Sequence, residues 1–492
     1  MSLQTAFYGA RSALAVNSAQ TAIVSRNIAG MSEPGYARRL LLVDTAAGGE
    51  IRAGSIERAT NGALRDAMLS ATASSAASDA ISSAVSSLQQ TVGDPQSAQS
   101  PAALIGGLQT ALTQAATAPQ DPVTLGAAVD AAKTLATTLN KDSAQAQAAR
   151  SQADSAMMQS VAQINSLLTE FGTVNAQIVA GARTGTNASD AADRRDSILT
   201  ALAGQIGIKT VVGAKGDTAI YTDSGVPLFQ ESARMVSMTP TSTFAPGSVG
   251  KAVYVDGVSV AGASAAMPIK SGALAGLAQV RDVTAPTYQN QLDEIARGLI
   301  GAFAQTDQSG SSAPARTGLF AWSGAPSIPS GATSGLAAQI SVDASVDPTA
   351  GGDATLLRDG GIGSGGAGPY VYNSSGAASF TGRLNALSAA LDSQQTFNAN
   401  SGLPAASSVS GLATNSVGWL ESARKTASDA STQASAVAAQ ATSALSNATG
   451  VNMDDQMSQM LDLENTYQAS AKMMATVDTM YSTLFTALTV TP

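Results

Sequence analysis

The sequence predicts a mainly α-helical protein with β insertions, an α+β fold, and three observations carry that prediction. Apolar residues recur at alternating steps of four and three near both ends of the chain. Ala, Ser, Thr, Gly and Gln fill long stretches between them, a composition suited to long helices with small-residue seams. One compact segment switches to short β-rich runs divided by turn signals.

Near the N-terminus, Leu3, Phe7, Ala10, Leu14, Asn17, Thr21, Val24 and Ile28 trace a heptad seam that ends at Gly30. Glu33-Pro34-Gly35 then forces an extended residue and a turn, because the residue before a proline disfavours the helical region. Residues 62–170 and 380–449 read as long packed helices, broken near Gly93-Asp94-Pro95, Pro101, Pro119 and Pro122. Ile208-Lys209-Thr210-Val211-Val212, Ala219-Ile220-Tyr221 and Ala252-Val253-Tyr254-Val255, with turns at Ser224-Gly225 and Asp256-Gly257, predict β-hairpins. A further helix follows near residues 286–304, and residues 308–380, dense in Gly, Ser, Ala and Pro, read as loop-rich.

The C-terminal segment repeats the first seam. From an Asn452 cap, Met453, Met457, Met460, Tyr467, Ala471, Met474, Tyr481, Phe485 and Leu488 follow the same steps, and Asp454 and Asp455 favour the helix start. Glu464 and Asp478 interrupt the register, while Leu461, Leu463, Val477 and Leu484 broaden the stripe beside them. The expected organisation is a discontinuous terminal coiled-coil domain from residues 1–61 and 450–492. A helical body takes residues 62–206, 271–307 and 381–449, a β-hairpin subdomain 207–270, and a loop-rich insert 308–380.

At 492 residues the chain is long enough for several domains with cores of their own. It contains no cysteine and no histidine, which removes disulfides, thiolate nucleophiles, Ser-His-Asp sites and the usual zinc ligands. No metal or cofactor is expected. A net charge of −9 opposes binding to nucleic acid or to an anionic membrane. The first residues lack the pattern of a cleaved Sec signal, and no stretch approaches a membrane span. From composition alone, a cytoplasmic protein is the plain reading.

The first seam cannot hold a helix by itself, since five large apolar side chains do not offset the ordering of its backbone. It must meet another helix, and the C-terminal segment carries the complementary bulk. Phe7, Tyr8, Val16, Ile23 and Leu40-Leu41-Leu42 do not share one narrow stripe, so neighbouring copies are expected to cover the remainder. Two ordinary amphipathic helices of a monomeric bundle would show the same pattern.

The stretch Ser25-Arg26-Asn27-Ile28-Ala29-Gly30-Met31-Ser32-Glu33-Pro34-Gly35-Tyr36-Ala37-Arg38-Arg39 resembles the Asn-Ile-Ala and Pro-Gly-Tyr signature of flagellar rod, hook and hook-associated proteins. Met31-Ser32-Glu33 stands where those proteins usually carry a Val-Asn-Thr-like tripeptide. Gly450-Val451-Asn452-Met453-Asp454-Asp455-Gln456-Met457 and Tyr467-Gln468-Ala469-Ser470-Ala471 resemble the C-terminal blocks of the first hook-associated protein, the FlgK family. Hook and rod proteins usually have Asn at the place of Ser470. Asp193-Arg194-Arg195-Asp196-Ser197-Ile198-Leu199, Gly272 to Leu277, Arg281-Asp282 and Gln291 to Ala296 agree in order and spacing. The resemblance is weakest over 62–160 and 308–380.

Such a resemblance implies a non-enzymatic adaptor of the extracellular flagellum at the hook-filament junction. It implies export through the flagellar type III pathway with a chaperone on the C-terminal helix, and self-assembly into a ring or tubular layer. The hook protein and a second hook-associated junction protein would be its neighbours. Leu3, Phe7, Leu14, Val24, Asn27, Ile28, Pro34, Gly35, Tyr36, Met457, Tyr467, Met474, Tyr481, Phe485 and Leu488 are the residues expected to carry assembly.

Other chemistry is poorly supported. Gly361-Ile362-Gly363-Ser364-Gly365-Gly366 fits a dinucleotide-loop pattern, but Pro369 follows and neither a clear strand nor a helix flanks it. Arg194-Arg195-Asp196 reads as a solvated helix face rather than a recognition patch. The methionines at helical spacing read as core rather than as soft-metal ligands. Another axial component, a secreted coiled-coil effector, or a carboxylate-only peptidoglycan hydrolase are the competing readings.

Overall fold

Helix α1 (Leu3–Gly30) runs the length of the first seam and stops at Gly30. The Glu33 and Tyr36 amides then donate to the carbonyls of Gly30 and Glu33, at 3.0 and 3.1 Å, and Gly35 takes a φ of +84°, which favours glycine. The computed structural model describes residues 3–33, 35–45, 50–92, 98–364 and 366–489, apart from the side chains of 91, 92, 488 and 489. Pro34, the break expected at Gly93-Asp94-Pro95 and the Leu488 side chain lie outside the described residues.

An antiparallel hairpin of β1 (Arg39–Thr45) and β2 (Ile51–Arg58) follows, with Arg39 opposite Arg58 and a register shift between Leu41 and Val43. Nothing in the sequence signals it, because Leu40-Leu41-Leu42-Val43 lacks the alternation of a half-buried strand. Leu40, Leu42 and Val43 are in fact exposed.

The body is built from long helices whose starts are dictated locally. After α2 (Gly62–Val92), Ser100 caps α3 (Pro101–Thr117) and Asp121 caps α4 (Pro122–Thr184), each with proline at the first helical position. Gly185, left-handed at φ 71°, closes α4, and α5 (Ser189–Gln205) follows.

Residues 207–270 form two three-stranded antiparallel sheets. One holds β3 (Ile208–Val212), β4 (Thr218–Thr222) and β5 (Pro227–Phe229). The other holds β6 (Val236–Met238), β7 (Val253–Val255) and β8 (Val258–Ala261). The helix α6 (Ala273–Gln279) passes through a π-helical turn at Val280–Thr284 into α7 (Ala285–Ala302).

The described residues of 308–380 form short elements, β9 (Phe320–Ala321), α8 (Leu336–Gln339), β10 (Ser341–Val342), a 3-10 turn (Pro348–Ala350) and α9 (Thr355–Asp359). They are nonetheless packed, with Phe320, Leu336, Ile340, Val346 and Leu357 buried. Then come α10 (Gly382–Ala390), a two-residue pair of β11 (Gln395–Thr396) and β12 (Ala406–Ser407), and the two final helices. Ser408 caps α11 (Val409–Thr449), and the Asn452 carboxamide accepts from the amides of Asp454 and Asp455 at the start of α12 (Met453–Thr489).

Two hydrophobic cores lie along α4. The first half of α4 packs with α3, α7, the 308–380 insert and the start of α11. The second half packs with the start of α2, α5, both three-stranded sheets and α6. Between them Arg281, fully buried, pairs with Asp154 at 2.6 Å and Asp282 at 2.8 Å. The protein is therefore mainly helical with small antiparallel sheets, as the sequence predicts. For function, the important element is α5: Ile198, Leu199 and Leu202 anchor it in the second core and turn its acidic first half toward the chain ends.

Candidate assembly interface

The two chain ends meet. The Asn17 side-chain amide donates to the Leu463 carbonyl at 2.8 Å, and that of Asn27 to the Gln456 side-chain oxygen at 2.9 Å. Partner numbers fall along α12 as they rise along α1, so the helices are antiparallel. The face of α12 turned to α1 carries Gln456, Leu463, Ser470 and Val477, all buried and one per heptad, against Ala10, Asn17 and Val24.

This corrects the seam drawn from periodicity, which followed the bulkier neighbouring stripe. Met457, Tyr467 and Phe485 are exposed, Phe485 to 64%, and Met474 and Tyr481 are half-buried. The apolar band of α12 is wide enough to hold two adjacent stripes. Gln456 and Ser470 alternate with Leu463 and Val477 on the face toward α1, where the backbones approach closely enough for Asn17 to reach a main-chain carbonyl.

On α1, Val24 and Asn27 are buried, and Leu3, Phe7, Leu14 and Ile28 are half-buried. Gly35 is exposed and Tyr36 half-buried. Asn27 organises the turn after α1: its Nδ2 also donates to the Arg39 carbonyl at 2.9 Å, and its Oδ1 accepts from the Arg39 amide at 2.9 Å and the Tyr36 hydroxyl at 3.1 Å. The Tyr36 ring lies so close to Gly30 that a Cβ there would come within 2.6 Å of it. The Tyr36 hydroxyl is pushed above its ordinary pKa by burial, the nearby Arg39 charge acting the other way.

Sequence reasoning missed the group that ties this turn to the body. Arg39, only 2% exposed, reaches Asp193 at 2.8 Å and Asp190 at 2.5 Å on α5, with its guanidinium 4.9 Å from the centre of the Tyr36 ring. Burial opposes its charge, yet the hydrogen bonds to Asp193 and Asp190 outweigh that and raise its pKa. Arg58, opposite it in the hairpin, pairs with Asp193 at 2.6 Å and Asp196 at 2.8 Å. The Arg38 amide donates to the Thr449 carbonyl at the end of α11.

The solvated-face reading of Arg194-Arg195-Asp196 is thereby corrected. Arg195 is buried and donates to the Gly216 carbonyl and Thr218 hydroxyl, both at 2.9 Å, and Arg194 alone is exposed, paired with Glu170. A cavity of about 480 Å³ remains behind the turn, lined by Met31, Tyr36, Arg58, Arg65, Met68 and Leu445 among others. The contacts of Arg39 and Arg58 with α5 thus border a space that apolar side chains do not fill.

Among the described residues no group of three or more acidic side chains is placed to hold a metal, and no helix is long and apolar enough to cross a membrane. Two family models match the chain. The helical domain of flagellar hook-associated protein FlgK matches residues 85–319, reaching into the stretch 62–160 where the recognisable blocks are few. The C-terminal region of the flagellar basal body rod FlgEFG proteins matches residues 443–487. Among solved structures, the flagellar hook junction protein FlgK from Burkholderia pseudomallei is similar at 23% identity and a TM-score of 0.41. That likeness covers 52% of this chain and 46% of the other, less than half of its length. No curated protein matches. The chain thus carries a region matching the helical domain of flagellar hook-associated protein FlgK ahead of one matching the C-terminal region of flagellar axial proteins, and it is similar to the FlgK family of flagellar hook-associated proteins.

Proposed function

We propose that the chain is a non-enzymatic adaptor at the hook-filament junction, exported through the flagellar type III pathway and polymerised through its terminal helices. One observation carries this reading: two ends more than four hundred residues apart form a single antiparallel pair whose outward faces keep Met457, Leu461, Tyr467, Met473, Met480 and Leu484 exposed. Large apolar side chains left exposed in this number along one helix favour a further protein partner over solvent. Copies of the same chain would cover it in a ring or tubular layer, with the hook protein on one side and a second hook-associated protein on the other. Before assembly, an export chaperone would shield α12. Leu3, Phe7, Leu14 and Ile28 on α1, and Met457, Tyr467, Met474, Tyr481 and Phe485 on α12, are the side chains we assign to these contacts. Val24, Asn27, Gly35 and Tyr36 hold the turn and the pair in shape.

The expected outcome of deleting the gene is a cell that builds hooks, lacks filaments and sheds flagellin into the medium. Electron microscopy and analysis of the culture supernatant check it. Loss of the hooks as well would replace this reading with that of a hook or rod component.

A further inference from the structure

The cavity of about 480 Å³ behind the turn carries an imbalance of charge. Among the described residues, the charged side chains that line it are Glu33, Arg58, Arg65 and Asp196. Following their ion pairs outward adds Asp66, Asp193, Arg195, Arg39 and Asp190. The four arginines are all interior, with side chains no more than 13% exposed. Asp193 and Asp196 are the carboxylates that share that interior, whereas Glu33, Asp66 and Asp190 face solvent, which screens their charge. Four buried cations thus stand against two buried anions, and buried charge is costly unless it is paired.

Arg65 is the least satisfied of the four. Arg39 and Arg58 are held by the two aspartates, and Arg195 donates to the Gly216 carbonyl and the Thr218 hydroxyl. The Arg65 Nε is buried and has no hydrogen-bond partner, and a terminal nitrogen of the same group stands 3.7 Å from Asp66, beyond hydrogen-bond reach. Asp196 does not answer it, since its one unpartnered oxygen lies 3.9 Å from the Arg195 Nε, which is unpartnered as well. Burial lowers the Arg195 pKa; Asp196 opposes that shift, and Arg65 and Arg58 add to it, as an excess of positive charge requires.

We propose that this cavity binds a small organic oxyanion, a carboxylate or phosphate head on a short apolar body. The Arg65 guanidinium offers a planar fork that matches two oxygens of such a head, and Arg58 on the same cavity adds its charge. Met68, Leu445 and Val451 supply an apolar wall for the remainder, and the volume falls in the roughly 300 to 1,000 Å³ range of ligand pockets. The walls come from the turn after α1, the end of β2, α2, α5 and the end of α11, so one bound anion bridges the terminal helices and the body. The site needs only the folded chain and stands apart from the adaptor reading.

Calorimetric titration of the full-length chain with hexanoate, hexyl phosphate and hexanol tests it. Both anions are expected to bind once per chain, the tighter of the two naming the head group, while hexanol binds at least about tenfold more weakly. Arg65→Met is expected to weaken both anions about tenfold or more, and Arg65→Lys to fall between. Arg52→Met, which removes an exposed arginine paired with Glu50, should change nothing. Circular dichroism of each variant verifies that the body is folded. Saturating hexanoate should also slow proteolytic cleavage between residues 31 and 61 in the unaltered chain and leave it unchanged in Arg65→Met.

Three results would overturn the site: failure of both anions to bind, equal affinity in Arg65→Met, or hexanol bound as tightly as hexanoate. None of them bears on whether the chain polymerises. Filaments intact in the deletion strain would in turn remove the adaptor reading and leave the anion site standing.

Discussion

Arg39→Met is expected to loosen the terminal helices from the body at a cost of about 2 to 3 kcal/mol, while the body keeps its own midpoint of unfolding. The replacement preserves length and apolar stem but removes the guanidinium that spans the turn after α1 and the acidic half of α5. Asp190 is already 87% exposed and loses little, and Asp193 keeps Arg58. The loss falls on the bond to Asp193 and on the cation over Tyr36, in a place where the cavity behind the turn leaves little apolar packing to compensate. Limited proteolysis followed by mass spectrometry checks the result, with faster cleavage between residues 31 and 61 and an unchanged body fragment. Arg39→Lys should fall between, since an ammonium cannot reproduce the planar fork.

Asp142→Asn is expected to stabilise the body, by an amount that grows with pH. Asp142 is only 1% exposed, a third of the way along α4, and one of its carboxylate oxygens has no hydrogen-bond partner. Burial raises its pKa from 3.8 to about 7, with Lys141 pulling the other way. Between those two values the unfolded chain is ionised and the folded one holds its proton, so stability falls as pH rises through the window and levels off above about 7. The shift corresponds to about 4 kcal/mol at most. Asparagine carries no charge to desolvate, so the gain should be small near pH 4, increase through pH 7 and stay constant beyond it. Thermal melts of both proteins at pH 5 and pH 8 measure it, and an equal difference at the two values would contradict the assignment.

What the sequence reveals depends on whether the signal is local. The caps Asn452 and Ser408 and the prolines 101 and 122 act on their own helix ends, and the helices begin where those residues stand. Heptad spacing was enough to show that α1 needs α12. It could not select which stripe of α12 faces inward, because Met457, Tyr467 and Phe485 lie beside Gln456, Leu463 and Ser470 in one broad apolar band.

The β1-β2 hairpin was hidden by four consecutive apolar residues with no alternation. Residues 308–380 read as loop-rich because their buried apolar residues, among them Leu319, Phe320, Leu336, Ile340 and Leu357, come in brief runs scattered among Gly, Ser and Pro. At the interface, Asn27, Tyr36 and the Asp193 to Asp196 block were visible as motifs. The contact that joins them, Arg39 to Asp193, spans 154 residues, and no local pattern encodes it.

Hydrogen exchange followed by mass spectrometry, on the dilute monomer and on the assembled form, tests the central claim most directly. The account predicts that amides of residues 3–30 and 453–487 exchange quickly in the monomer and become protected on assembly, while those of α4 and α7 stay protected throughout. Terminal helices already as protected in the dilute monomer as α4 would contradict it.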